Sequence, residues 1–219
     1  MTVLRAGRGR PVTLFVPGQG RGPSPSAPML AATRWFAQDV RGTQLSFYYE
    51  ESGHFDRVPP LRRQAERDAE EARVVADAVG ATRALGISRG ARALAGLLAH
   101  DPGRFERVVL VVPPGDRLQT PLSYRVWLDS LPAAASAPPA PNTRILVLGL
   151  RGDRGHPARA AEEWAGRLGA RLELFPARGT VPQRELMPSA ASRSPELIWG
   201  DLVPGYELMR SAATEFLNA

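Results

Sequence analysis

Cysteine is absent from all 219 residues, and this absence excludes several kinds of chemistry. Without a thiol the chain has no disulfide framework, no cysteine nucleophile and no thiolate metal site. Histidine is scarce, with only His54, His100 and His156. No stretch approaches the ~20 apolar residues of a membrane span, and the first ten residues carry no apolar signal segment. We therefore expect a cytoplasmic protein without membrane contact, whose reactive groups are oxygen and nitrogen.

Lysine is also absent, so the net charge of +6 comes entirely from arginine. A basic balance of this size is common among nucleic-acid-binding proteins. Here the arginines alternate with acidic residues, as in segment 62–73, a pattern typical of the solvated face of a helix. We therefore predict no nucleic-acid partner. Arginine in place of lysine, with 21 prolines and 21 glycines, is typical of a GC-rich, bacterial genome.

Short β-branched runs alternate with longer segments of helical period, which predicts an α/β fold with a mostly parallel sheet and helices on both faces. We expect one domain over residues 1–219, enough for one substantial core. The Pro- and Ser-rich stretches 115–142 and 180–204 interrupt the rhythm, and the first is expected to form a short lid. The predicted strands are 12–16, 43–49, 81–87, 108–112, 144–149 and 171–175; the predicted helices are 27–38, 61–79, 90–100, 157–168, ended by Gly169, and 205–217.

The strongest local signal is Gly86-Ile87-Ser88-Arg89-Gly90, which joins a predicted strand to a predicted helix. A serine at such a sharp turn needs small neighbours because the backbone is strained and closely approached. The helix that follows favours negative charge at its start. The simpler alternative is a tight turn whose serine caps the helix. The strand before and the helix after favour a nucleophile at Ser88.

With this motif in place, most of the chain resembles the α/β-hydrolase superfamily. Segment 14–20, Leu-Phe-Val-Pro-Gly-Gln-Gly, is similar to that family's strand and glycine loop. The resemblance implies that the backbone N–H groups of Gln19 and Arg89 form an oxyanion hole, two donors aimed at charge that develops in the transition state. It also implies that Asp153, which follows the predicted strand 144–149, is the acid of a catalytic triad. A plain turn at residues 18–20 and a helix-terminal charge at Asp153 are the alternatives.

The third triad member is where this sequence departs from the family pattern. After the predicted strand 171–175 the family has a histidine, whereas this chain has Thr180 in that region and no histidine beyond His156. His54 and His100 match structural positions of the family. A serine without an adjacent base is a weak nucleophile, so the resemblance implies an enzyme with an incomplete triad.

Three interpretations follow from the missing histidine. His156, three residues after Asp153, takes over as the base of a relocated triad. Alternatively, the site catalyses a non-hydrolytic carbonyl reaction such as cyclisation, elimination or C–C bond formation, as relatives with altered triads do in natural-product pathways. The third interpretation is small-molecule binding without catalysis. Non-histidine bases for the catalytic interpretations are Glu50, Glu51 and Asp201.

The substrate implied by the resemblance is a small organic carbonyl compound of the ester, thioester or polyketide kind. Tyr124 and Trp127 in the predicted lid are candidate substrate-binding residues, with core packing as their alternative. No metal ion and no organic cofactor are expected, because the sequence has neither a histidine-carboxylate cluster nor a complete phosphate-binding glycine loop. A homodimer is compatible with this prediction.

Overall fold

The computed structural model of the protein describes residues 2–16, 38–48, 61–113, 140–151, 158–176 and 204–219. The helices within these ranges are α1 (Leu61–Val79), α2 (Arg89–His100), α3 (Ala158–Leu168) and α4 (Pro204–Asn218). The strands are β1 (Thr2–Gly7), β2 (Val12–Val16), β3 (Thr43–Tyr48), β4 (Arg83–Ile87), β5 (Arg107–Val111), β6 (Arg144–Arg151) and β7 (Arg171–Pro176).

The seven strands form one sheet in the order β1-β3-β2-β4-β5-β6-β7. Strand β1 pairs antiparallel with β3, and all other neighbouring pairs are parallel. From β2 the chain proceeds outward to β3, whereas from β4 it proceeds the other way through β5, β6 and β7. The order therefore reverses between β2 and β4. In open α/β sheets the crevice at such a reversal, at the carboxyl ends of the strands, is the usual place for a ligand.

The core consists of two apolar layers, one on each face of the sheet. Alternate residues of a strand point to opposite faces, so Val108 joins the layer under α1, α2 and α3, while Val109 joins the layer under α4. Both side chains are fully buried, which explains the unbroken apolar run of β5. Burial of one such side chain contributes roughly 1.5–3 kcal/mol. This stabilisation holds the carboxyl edge of the sheet in a fixed shape.

Several predicted boundaries agree with the structure. Strand β2 and helix α1 have the predicted bounds. The predicted stop at Gly169 is confirmed, because this glycine has φ 59° and the next amide, Ala170 N, donates to Ala165 O at 2.9 Å. A positive φ at this position is the usual end of a helix and costs glycine little. The mostly parallel α/β fold is likewise confirmed.

Other boundaries need correction. The sequence pattern does not predict β1, since an edge strand with arginine and glycine lacks the apolar signal of a buried strand. Strand β4 begins at Arg83 rather than residue 81, and β5 ends at Val111 because Val112 has φ 39°. The predicted helix 27–38 lies outside the described residues except at its last position. The predicted lid, 115–142, lies outside them except at its last three residues, and stretch 180–204 except at its last residue.

In the part of the chain that the structure describes, no helix is both long enough and apolar enough to cross a membrane. Helix α1 shows why length alone is insufficient. It has 19 residues, but charged side chains recur along it. This amphipathic pattern fits a helix that covers one face of the sheet.

Candidate active site at the turn after strand β4

Ser88 lies between β4 and α2 with φ 49° and ψ −110°. A positive φ is unusual for a residue with a side chain and marks a strained backbone. The Ser88 side chain makes no capping hydrogen bond to α2, and its dihedral angles differ from the extended conformation usual at a helix start. The geometry therefore does not match the helix-cap alternative and matches the sharp elbow that the sequence predicts.

Backbone hydrogen bonds hold this elbow on both sides. The Ser88 N–H donates to Val111 O at 3.0 Å, which extends the ladder between β4 and β5. The Ser88 carbonyl accepts from Arg92 N at 3.2 Å, the first hydrogen bond of α2. One residue thus ends the strand and starts the helix. Two rigid elements therefore hold Ser88 at the carboxyl edge of the sheet, where the residue is largely buried.

Gly86 is required by a close backbone approach. A Cβ atom at this position would lie 2.5 Å from Gly90 O and 2.7 Å from Ala91 N. Backbone atoms cannot move away as a flexible side chain can, so β4 and α2 approach each other this closely only without a side chain at residue 86. The glycine spacing of the sequence motif therefore has a direct steric cause.

A second strained residue lies beside the elbow. Val112, the first residue after β5, has φ 39° and its N–H donates to Leu148 O at 2.8 Å. For a β-branched side chain this backbone conformation is an outlier. Its neighbour Val111 is the acceptor for the Ser88 amide. The two strained positions therefore adjoin at one edge of the sheet, and strain of this kind concentrates at functional sites.

Arg89 follows the serine, and its side chain points away from this edge toward α1. Its Nε and Nη2 donate to the two carboxylate oxygens of Asp68 at 2.7 and 2.6 Å. Arg92 Nη2 lies 3.6 Å from the same carboxylate. All three residues are buried, with Asp68 completely so. We refer to Asp68, Arg89 and Arg92 as the buried ion cluster.

The buried ion cluster corrects one interpretation of the sequence. The charge pattern of segment 62–73 predicts a solvated helical face, yet Asp68 is buried together with Ala69 and Ala72. The signal in the sequence is its helical spacing, since Asp68 lies four residues before Ala72 and eight before the buried Ala76. Because the cluster joins α1 to the first turn of α2, it fixes the helix that carries the elbow.

Of the two backbone N–H groups predicted to form an oxyanion hole, only that of Arg89 lies within the described residues. It lies in the first turn of α2, where N–H groups have no acceptor within the helix itself and the helix dipole favours negative charge. Strand β2 ends at Val16 beside Gly86 of β4, three residues before Gln19 in the sequence. Strand β6 ends at Arg151, two residues before Asp153 in the sequence. The predicted site residues Gln19, Tyr124, Trp127, Asp153 and His156 themselves lie outside the described residues.

His100 is the histidine within the described ranges, and it is remote from Ser88. It is the last residue of the 12-residue helix α2, about 18 Å from the elbow at 1.5 Å per residue. It is exposed, on the side of the sheet away from the elbow. His100 therefore cannot act as a base for Ser88, in agreement with its predicted structural place. In the described residues no three histidine or acidic side chains form a group suited to a metal ion.

Comparison with known proteins connects this geometry with one fold. No protein-family model matches the sequence, and no curated protein matches it. Among solved structures, Est1E from Butyrivibrio proteoclasticus, solved with ferulic acid bound, has a TM-score of 0.64 at 12% identity over 99% of this chain and 93% of its own.

Two further solved structures agree. An alpha/beta hydrolase fold protein from Nakamurella multipartita has a TM-score of 0.58 at 14% identity over 99% of this chain and 94% of its own. A thermophilic esterase from Thermogutta terrifontis, bound to propionate, has a TM-score of 0.56 at 16% identity over 98% and 88%. The chain therefore has the α/β-hydrolase fold, as its resemblance to that superfamily implies.

Proposed function

We propose that this protein is an α/β-hydrolase-fold enzyme that acts on an organic carbonyl substrate at Ser88. The observation that carries the proposal is the strained backbone of Ser88, whose side chain does not cap α2. This residue lies at the carboxyl edge of the sheet, beside the reversal of strand order. A strained residue at this position is expected where a side chain must be presented to a ligand. The substrates in view are esters, thioesters and polyketide-like carbonyl compounds.

In the hydrolytic form of the proposal, Ser88 Oγ attacks the carbonyl carbon and its proton passes to a base. The carbonyl oxygen becomes negative and accepts hydrogen bonds from Arg89 N–H and Gln19 N–H. Collapse of this intermediate expels the alcohol or thiol, which takes the proton back from the base, and water then releases the acid from Ser88. His156 is the proposed base and Asp153 the residue that orients it.

The second candidate is a non-hydrolytic reaction in the same site. The sequence has no histidine beyond His156, and a triad that loses its base loses several orders of magnitude in rate. Carbonyl polarisation by the N–H groups remains useful for cyclisation, elimination or C–C bond formation without an acyl-enzyme. The arginine-rich composition typical of a GC-rich genome is compatible with a role in bacterial natural-product metabolism.

A fluorophosphonate probe and a panel of activated esters test the proposal. Labelling should map by mass spectrometry to the peptide that contains Ser88 and should vanish in Ser88→Ala. Ser211→Ala is the matched control, because Ser211 is an exposed serine on α4 and its loss should leave labelling intact. His156→Ala is compared with His100→Ala, the histidine remote from the elbow.

The outcomes separate the candidates. Loss of labelling in Ser88→Ala and His156→Ala, with both controls active, supports a relocated triad. Labelling that survives His156→Ala assigns activation of Ser88 to another group. A folded wild-type protein without labelling or ester turnover would exclude the hydrolytic form, leaving the non-hydrolytic candidate to be tested with carbonyl substrates that lack a leaving group.

A further inference from the structure

The amino edge of the sheet, opposite the elbow, carries arginines in register on adjacent strands. Arg83, Arg107 and Arg144 are the first residues of β4, β5 and β6, and they are direct cross-strand partners. In-register partners project from the same face of a sheet, with strands about 4.8 Å apart. Arg41, just before β3, acts electrostatically on Arg83. We call these four residues the arginine row.

The row lies on the face of the sheet that α4 covers. Residues two positions further along the same strands, Leu85, Val109 and Leu146, belong to the apolar layer with α4. Since side chains alternate between faces, the three strand arginines share that face. Ser88 lies five residues from Arg83 along the strand direction, about 17 Å at 3.3 Å per residue. The row is therefore separate from the candidate active site.

Within the described residues Arg107 has a hydrogen-bond acceptor, whereas the Nε of Arg83 has none. Arg107 Nη1 donates to Phe216 O at 3.1 Å, and its guanidinium lies 5.8 Å from the centre of the Phe216 ring. The Arg41 backbone N–H donates to Asn218 Oδ1 at 2.9 Å. Among the ion pairs of the described residues, none involves a member of the row.

Arg83 is therefore in an unfavourable electrostatic environment. It is half-buried, and within the described ranges its buried Nε has no hydrogen-bond acceptor. Burial and the charge of Arg107 lower the pKa of Arg83, Arg41 adds to this effect, and Glu106 opposes it. A guanidinium cannot lose its proton in a protein, so its charge must be compensated in another way. A buried donor without an acceptor destabilises the folded state.

We propose that the arginine row binds the phosphate group of a small-molecule ligand. A phosphate monoester or diphosphate offers at least three terminal oxygens, which suffice to accept from two neighbouring guanidinium groups at once, whereas a single carboxylate offers two. Its negative charge would offset the repulsion that Arg107 and Arg41 exert on Arg83. The Phe216 carbonyl of α4 accepts a hydrogen bond from Arg107 but brings no negative charge to the row. This proposal does not rest on the proposed catalytic function.

Calorimetric titration with inorganic pyrophosphate and inorganic phosphate, at constant ionic strength set with chloride, tests the proposal on the full chain. Wild type should bind pyrophosphate more tightly than phosphate, and Arg83→Gln should weaken binding about tenfold or more, as expected for loss of charge-assisted hydrogen bonds. Arg171→Gln is the matched control, because Arg171 begins β7 at the same edge but pairs with Glu173 at 2.6 Å. It should change the affinity less than about twofold.

Thermal unfolding distinguishes an anion-binding Arg83 from an arginine with a purely structural role. Without phosphate, Arg83→Gln should unfold at the wild-type temperature or above it, because it removes a repelled, half-buried charge. Pyrophosphate should raise the unfolding temperature of wild type and of Arg171→Gln, but not that of Arg83→Gln. A structural role for Arg83 would instead lower the unfolding temperature without any anion present.

Four results would overturn the proposal. One is a wild-type protein that binds neither anion more strongly than chloride. Another is equal weakening in Arg83→Gln and Arg171→Gln, which would indicate diffuse charge rather than a site. The third is binding unaffected by Arg83→Gln, which would place the anion elsewhere, for example at the elbow. Binding of a DNA duplex without any binding of pyrophosphate would likewise exclude a small phosphate ligand.

Discussion

Replacement of Asp68 by asparagine is the sharpest test of how the elbow is supported. The change keeps the size of the side chain but removes the charge that accepts two hydrogen bonds from Arg89 at 2.7 and 2.6 Å. Arg92, whose Nη2 lies 3.6 Å from the same carboxylate, also loses this negative charge. Two buried guanidinium groups would then lack this counter-charge. Removal of one partner from a buried ion pair costs about 3–5 kcal/mol.

For a chain of this length, each kcal/mol shifts the unfolding temperature by about 2–4 °C. Asp68→Asn should therefore unfold about 6–20 °C below wild type by calorimetry. Urea denaturation should show the same loss of free energy of unfolding. The control is Glu70→Gln on the same helix, where Glu70 pairs with Arg73 and both side chains are exposed. Exposed pairs contribute little, so this variant should remain close to wild type.

A double variant separates the ion pair from its surroundings. If Asp68 and Arg89 act as a pair, Asp68→Asn combined with Arg89→Gln should lose less stability than the sum of the two single variants, because the second change removes a charge that the first left buried. An Asp68→Asn protein as stable as Glu70→Gln would refute the reasoning. It would mean that the cluster contributes no more than a surface pair.

Two further predictions concern packing. Gly86→Ala should reduce stability by about 1–3 kcal/mol or prevent folding, because its Cβ would lie 2.5 Å from Gly90 O. Gly166→Ala in α3, where the added Cβ would meet nothing within 4 Å, should stabilise the protein by up to about 1 kcal/mol. Equal effects of the two changes in urea denaturation would contradict the steric cause. Leu94→Ala, at a fully buried position, should reduce stability by about 2–5 kcal/mol. Leu208→Ala, where the side chain is 53% exposed, should reduce it far less. If calorimetry showed that both variants unfold at nearly the wild-type temperature, Leu94 would not be part of the packed core.

Local patterns in the sequence account for the class of fold and for the position of the elbow. The apolar run of β5, the amphipathic period of α1 and the glycine stop after α3 are set by neighbours in the chain, so they can be predicted without tertiary contacts. The same holds for Ser88, because a strand, two glycines and a helix lie within a few residues of it. The roles predicted for Gln19, Asp153 and His156 remain predictions, since these residues lie outside the described ranges.

The tertiary structure decided what depends on partners distant in the chain. Asp68 carries the same charge as its exposed neighbour Glu70, and only the packing of α1 against α2 makes it the buried partner of Arg89, 21 residues away. Strand β1 exists because β3 pairs with it, not because of its own apolar content. The arginine row requires strand register, which no local pattern specifies. Charge and period are local properties of a chain, whereas burial, register and ion pairing belong to the surfaces that folding brings together.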